Sequence, residues 1–216
     1  MVVVVLILLF FTLFSHLKKK LNKEGIFLAN IMGLAIYVNG GIWLFLTTIL
    51  VFLITTLATN FKTELKKKHG KRTTKNILAN LGVPTILLLL GSPLLFMSGI
   101  SASLSDTVSS EIGMVSKKTP RLITTLRRSH TGVNGAVSSL GFLAAFLAST
   151  LIATTTYFLF ASFLFSGLVI LSGMFGTVVD SILGATLENK KIINNAQVNT
   201  ISTFVSAALV FALLRI

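Results

Sequence analysis

The sequence predicts an all-α fold: a polytopic membrane helix bundle of about eight helices, within a range of six to eight, with both termini outside. Three observations predict it. Of the 216 residues, 53% are hydrophobic and only 12% are charged, with a mean hydropathy of +0.89; a soluble domain carries about 25% charged residues. Eighteen of the 19 cationic residues fall in four short segments, Lys18 to Lys23, Lys62 to Lys75, Lys117 to Arg128 and Lys190 to Lys191. The apolar stretches between them break at turn residues that carry no charge, so every loop agrees with a bundle whose basic side is cytoplasmic.

Each element follows from that pattern. Residues 2–17 form the first helix. Val2 to Phe14 lacks a basic leading region and a small-residue cleavage site, and Lys18-Lys19-Lys20 follows it, so it reads as a retained anchor rather than a signal peptide. Residues 25–61 break at Asn39-Gly40-Gly41, residues 76–114 at Gly91-Ser92-Pro93, and residues 134–187 near Thr154-Thr155-Thr156. Each stretch is therefore a hairpin that returns to the basic side, and residues 197–214 form the last helix. A full span needs about 20 residues, and residues 25–38 and 76–90 fall short of that, which sets the lower end of the range. The whole chain, 1–216, reads as one integral membrane domain. Residues 1–61 supply lipid-facing helices rich in Val, Ile, Leu and Phe, and residues 71–206 hold the core that carries the chemistry.

Composition excludes several chemistries. There is no cysteine, and the three histidines, His16, His69 and His130, lack metal-ligand spacing. Basic runs that separate hydrophobic spans are loop signals, so nucleic acid is not an expected partner. What remains is carboxylate chemistry. Four of the six acidic residues, Asp106, Glu111, Asp180 and Glu188, lie in or at the ends of two apolar helices. An acidic group at membrane depth costs about 2.5–3.5 kcal/mol on insertion scales and marks a functional site by default. Asp106 precedes Lys117 by eleven positions and Asp180 precedes Lys190 by ten, so in parallel helices the two carboxylates lie at matched depth.

Residues 98–113, SGISASLSDTVSSEIG, carry six serines around Asp106; small and hydroxyl residues let helices approach closely and place this one in the bundle interior. Gly99 and Gly173 each stand seven residues before an Asp, with Thr107 and Ser181 just after it. Oxygen ligands of this kind suit Mg²⁺, which binds through one or two carboxylates plus substrate phosphates, and Asp106, Glu111 and Asp180 are its candidate ligands and the candidate catalytic residues. Directly after the acidic helix comes PRLITTLRRSHTGVNGAVSS, residues 120–139, with Arg121, Thr125, Arg127, Arg128, Gly132, Asn134, Gly135 and Ser138. A Gly-bearing helix start beside arginines offers an anion site. By itself it reads equally as an ordinary basic loop capped by Gly and Asn, and its place directly after the acidic helix favours phosphate. Asn195 and Asn199, entering the last helix, offer amides to a base, ribose or phosphate, although capping is the commoner use of such residues.

The motifs SDTVSSEIG, KKTPRLITTLRR, TGVNGAVSSLG, VVDSILGATLE, NNAQVNTIST and KRTTKNILANLGVP occur within residues 71–206. Together they resemble the membrane family containing transmembrane protein 19 and plant phytyl-phosphate kinase, distantly similar to CTP-dependent phytol and dolichol kinases. The resemblance implies transfer of a phosphoryl group from CTP to an isoprenoid (phytyl, geranylgeranyl or polyprenyl) monophosphate, giving the diphosphate. By motif it assigns Asp106 and Glu111 to the acidic helix, Gly132 and Gly135 to the glycine loop, Asp180 to the second acidic motif, and Asn195 and Asn199 to the asparagine motif. Ala136 stands where a second consecutive glycine is usual and Val108 where tryptophan is common. Two other functions share the carboxylate pattern: a cation-coupled transporter or lipid flippase, and a lipid-phosphate cytidylyltransferase. No Arg- and Ser-rich transit peptide precedes the first helix, so the expected location is the cell membrane of a microbe, with basic loops and active site cytoplasmic.

Overall fold

The computed structural model describes residues 2–18, 21–60 and 74–215. Lys19, Lys20, nearly all of the basic segment Lys62 to Lys75 and the first three residues of the 71–84 motif lie outside the described residues. The protein is an α-helical membrane bundle. Its helices are α1 (Val2–Leu17), α2 (Lys23–Asn60), α3 (Thr74–Ile77), α4 (Val83–Leu89), α5 (Pro93–Gly113), α6 (Ser139–Phe160), α7 (Phe163–Leu183) and α8 (Asn195–Leu213). One π-helical turn, Leu78–Gly82, joins α3 to α4, and a second, Gly184–Glu188, extends α7. Among the described residues, four stretches are long and apolar enough to cross a membrane: Lys23–Thr59, Ser139–Phe160, Phe163–Glu188 and Asn195–Leu213. Val2–Leu17 and Thr74–Leu89 are shorter apolar helices.

α2 is a hairpin rather than one rod. Gly41 adopts φ +74° and ψ −174°, a conformation open to glycine and strained for other residues. Beyond it the chain folds back: a Cβ on Gly33 would lie 3.4 Å from the Phe45 ring, and the Tyr37 and Phe45 rings are 6.2 Å apart. The expected break at Asn39-Gly40-Gly41 is thus present. So is the one at Gly91-Ser92-Pro93, where Gly91 takes φ +78° and Pro93 opens α5. The third break is not at Thr154-Thr155-Thr156. Each of those threonines donates its hydroxyl to a carbonyl three or four residues back, at 2.8–2.9 Å, and stays within α6. The helix stops at Ala161, which is left-handed with φ +48°, and Ser162 caps α7 by accepting from the Phe165 N–H. α6 also begins at Ser139 rather than near residue 134, because Ala136 and Val137 pair with Leu122 and Arg121 in a two-stranded antiparallel ribbon, β1 (Arg121–Leu122) with β2 (Ala136–Val137).

The core is built around α5. Every residue from Leu94 to Ser105 is buried, as expected of the serine-rich helix. It packs against α6 and α7 through small side chains. A Cβ on Gly173 would lie 2.5 Å from Ser101 Oγ and 2.6 Å from Ser149 Cβ, and one on Gly176 would lie 2.6 Å from Ala102 Cβ. Ser172 donates to the Ser98 carbonyl at 3.1 Å across a separation of 74 residues, the same offset that separates Asp180 from Asp106. α5 and α7 are therefore parallel and in register, while α8 runs back along α7, with Ser202 beside Asp180 and Ser206 beside Gly176. α1 lies antiparallel to the first half of α2, with Asn30 donating to Thr12 at 2.8 Å. The first described residues of α1 and the end of α8 consequently lie at the end of the bundle opposite the basic loops. α1 exposes Val2, Val3, Leu6, Leu9 and Phe10, which suits lipid contact; the return half of α2 is less lipid-facing than its composition implies, since Phe45 and Val51 are buried in the core.

Candidate functional site

The register between α5 and α7 decides where the acids meet. Asp106 and Asp180 face each other within hydrogen-bonding reach, and Glu188, on the π turn after α7, is close enough for its charge to act on both. The three share one polar cavity, walled by α5, the loop that precedes α6, the end of α7 and the start of α8. Glu111, Gly132, Asn134, Gly135, Ser138 and Asn195 also line it.

The glycine loop is seated against α7 by necessity. Gly135 has φ +76°, and a Cβ there would collide with Ala185 Cβ and lie 2.5 Å from the Ser181 carbonyl oxygen. Asn189 donates to the Asn134 carbonyl at 3.1 Å and ties the same loop to the segment after α7. Ser138 is an N-cap: its hydroxyl accepts from the Gly141 N–H at 3.1 Å and so fixes the start of α6 beside the cavity. Gly132, with φ +87°, has no neighbour near its Cβ position and leaves its backbone open to the cavity.

The last helix completes the wall. Asn194 forms a capping box with Gln197, and Asn195 follows at the cavity edge. Ser202 donates to Asp180 Oδ2 at 3.3 Å. The Asn199 amide sits between Asn80 and Asp180: in one orientation its N–H donates to Asn80 Oδ1 at 3.2 Å, and turned over it donates to Asp180 Oδ2 at 3.1 Å. Asn80 in turn accepts from Ser103 at 3.1 Å. A polar seam thus runs from α5 through the first π turn and α8 to Asp180.

Several expected residues stand apart from this cavity. Arg121 donates to the Leu126 carbonyl at 3.0 Å and stays within its own loop, and Thr125 accepts at 3.5 Å from the Arg127 N–H in the same turn. Arg127 and Arg128 are exposed and do not line the cavity, nor does Thr125. Among the described residues, no three His, Asp or Glu side chains converge as a metal-holding group. The expected trio of Asp106, Glu111 and Asp180 is therefore not assembled, because five residues along a helix carry Glu111 about 140° around from Asp106. The acidic pair still fits Mg²⁺ in its usual mode, one or two carboxylates with the remaining positions left to water and phosphate oxygens.

Ser202 was not singled out from the sequence. The signal was there: it lies three residues beyond Asn199, hence on the same face of α8.

Residues 6–207 match the family described as Integral membrane protein DUF92. The chain belongs to that family. It is 32% identical over 211 residues to an uncharacterized membrane protein of Methanocaldococcus jannaschii, covering 93% of this chain and 89% of that protein. It is 28% identical to Protein PGR of Arabidopsis thaliana, covering 81% of this chain and 74% of PGR. To the chloroplastic Protein VTE6 of the same plant it is 31% identical over 84% of this chain, and it spans 62% of VTE6. No solved structure matches. The family resemblance carried by the six motifs agrees with these relatives.

Proposed function

We propose that this protein is a membrane phosphotransferase that moves the terminal phosphoryl group of CTP onto an isoprenoid monophosphate, forming the diphosphate and releasing CDP. The observation that carries this reading is the facing pair Asp106 and Asp180 in a polar cavity at the basic end of the bundle, with the glycine loop as its lip. In the transfer, a new P–O bond forms from a phosphate oxygen of the lipid while the β,γ P–O bond of the nucleotide breaks. Such a reaction asks a protein for positioning and charge neutralisation more than for a strong nucleophile. The acceptor is already an anion and needs no base to activate it.

Asp106 and Asp180 would hold Mg²⁺, which when bound supplies neutralisation of phosphate charge. Ser202 and Asn199 orient the Asp180 carboxylate, and the Asn134–Gly135 backbone and Asn195 line the space a nucleotide would fill. Lys117, Lys118, Lys190 and Lys191 are exposed on the flanking segments and raise the local concentration of anionic substrates. The site would face the cytoplasm of a microbial cell, on the side of the basic loops.

The parallel course of α5 and α7 does not supply the inverted helix pair of many ion-coupled carriers. A cytidylyltransferase differs in its leaving group, and one assay separates them. Protein purified in detergent is incubated with Mg²⁺, isoprenyl monophosphates and CTP labelled at the α or the γ phosphorus. A kinase carries γ label into the lipid and leaves CDP; a cytidylyltransferase carries α label into the lipid and releases pyrophosphate. Lipid that gains neither label sinks both.

A further inference from the structure

A second cavity lies on the other side of α5 from the acidic pair, between α1, both halves of α2, the first π turn and α5. Its depth is apolar, with Leu8, Phe45 and Ile100 toward the middle of the bundle. At its basic end the amides and hydroxyls of Asn76, Asn80, Ser103 and Thr107 line it beside the apolar Leu21, Phe52 and Ile77. Lys18, Lys23 and Lys75 are exposed at that same end, on the helices whose apolar sides form the walls. A mostly apolar pocket with a few amides and hydroxyls at its mouth and cations beside them is complementary to a lipid with an anionic head.

We infer that this cavity holds the hydrocarbon tail of a single-chain prenyl monophosphate, with the phosphate lodged at Asn76 and Asn80. The inference rests on the reaction proposed above and assigns its lipid subsite. A prenyl monophosphate has one run of hydrocarbon to place along this apolar wall, where a diacyl lipid has two. The route to the acidic cavity is short. Residues 103–110 of α5 wall both spaces, with Ser103 and Thr107 on the apolar side and Asp106 and Ser110 on the acidic side. Asn80, at the mouth, lies beside Asn199, whose amide in its other orientation reaches Asp180. A phosphate held at Asn80 is thereby presented to the acidic pair while its tail stays among Leu8, Phe45 and Ile100.

The test uses full-length protein in detergent and geranylgeranyl monophosphate carrying a diazirine in mid-chain, with labelled residues located by mass spectrometry. Label concentrated in residues 29–52 and around Ile100 is expected. Ala29 lines the cavity, and Ala29→Phe should lower both this labelling and kcat/KM for geranylgeranyl monophosphate about tenfold, what losing the burial of roughly two methylenes costs. Thr48→Phe fills the same space from α2 and serves if the first variant does not fold. Label spread over the outward faces near Phe158 and Phe163, or equal labelling by a diazirine phosphatidic acid, would overturn the assignment. The two readings fail separately. Cavity labelling without phosphoryl transfer keeps the lipid site and removes the kinase; transfer without cavity labelling does the reverse.

Discussion

Asp180→Asn tests the acidic pair through stability as well as activity. Asn keeps an oxygen for the Ser202 hydroxyl, which donates to Oδ2 at 3.3 Å, and nearly keeps the volume of the side chain. What it removes is one charge. Two unit charges at the roughly 4 Å expected of facing carboxylates repel by up to about 4 kcal/mol at an effective dielectric near 20. Without Mg²⁺ the variant should therefore be at least as heat-stable as the parent, an unusual outcome for a change at a partly buried polar site. With Mg²⁺ the order should reverse. A ligand at 100 times its Kd adds about 2.7 kcal/mol to the folded state, worth roughly 5–10 °C in Tm for a chain of this size. Only the protein with both carboxylates should gain it. Thermal unfolding of detergent-purified parent and variant, each with and without millimolar MgCl₂, reads the crossing directly. An equal Mg²⁺-dependent rise in both proteins would refute the argument and leave Asp180 as the partner of Ser202 and Asn199 only.

Other outcomes follow from the same geometry. Asp106→Asn should abolish phosphoryl transfer while the protein still purifies as a folded species; turnover that survives at saturating Mg²⁺ would return Asp106 to a packing role. Gly135→Ala should unseat the loop from α7, because φ +76° and the Ser181 carbonyl 2.5 Å from the new Cβ both oppose it, and nucleotide KM should rise more than kcat falls in steady-state kinetics. Gly173→Ala should lower stability by about 1–3 kcal/mol through overpacking between α5, α6 and α7. Gly167→Ala, with nothing within 4 Å, should be neutral or slightly stabilising in the same melts. In intact cells, a cysteine-reactive impermeant reagent should label Asn39→Cys and not Lys118→Cys; labelling of both from one side would end the proposed orientation.

Much of the bundle was legible because charge and turn chemistry mark the membrane boundaries locally. Gly41 and Gly91 turn the chain at positive φ, which favours glycine, and the basic segments end the hairpins where lipid would not accept them. The Thr154-Thr155-Thr156 expectation failed for an equally local reason. In a helix a threonine hydroxyl can return to its own preceding turn, as all three do, so polar residues there did not mean a loop, and the stop came at Ala161-Ser162.

That Asp106 and Asp180 share a depth was readable along the chain, since each lies a similar distance from a cationic segment and rise per residue is constant along a helix. The sequence could not determine that they face each other. Azimuth is set by packing, here by Gly173 and Gly176 letting α7 settle against Ser101 and Ala102 in a 74-residue register. Tertiary structure alone also decided that the Arg127–Arg128 turn stays off the cavity, where strand pairing of Arg121 and Leu122 holds it. It decided as well that Asn80 and Asn199, 119 residues apart, meet beside Asp180. Spacing along a chain carries depth; which side chains converge at that depth depends on how closely neighbouring helices approach.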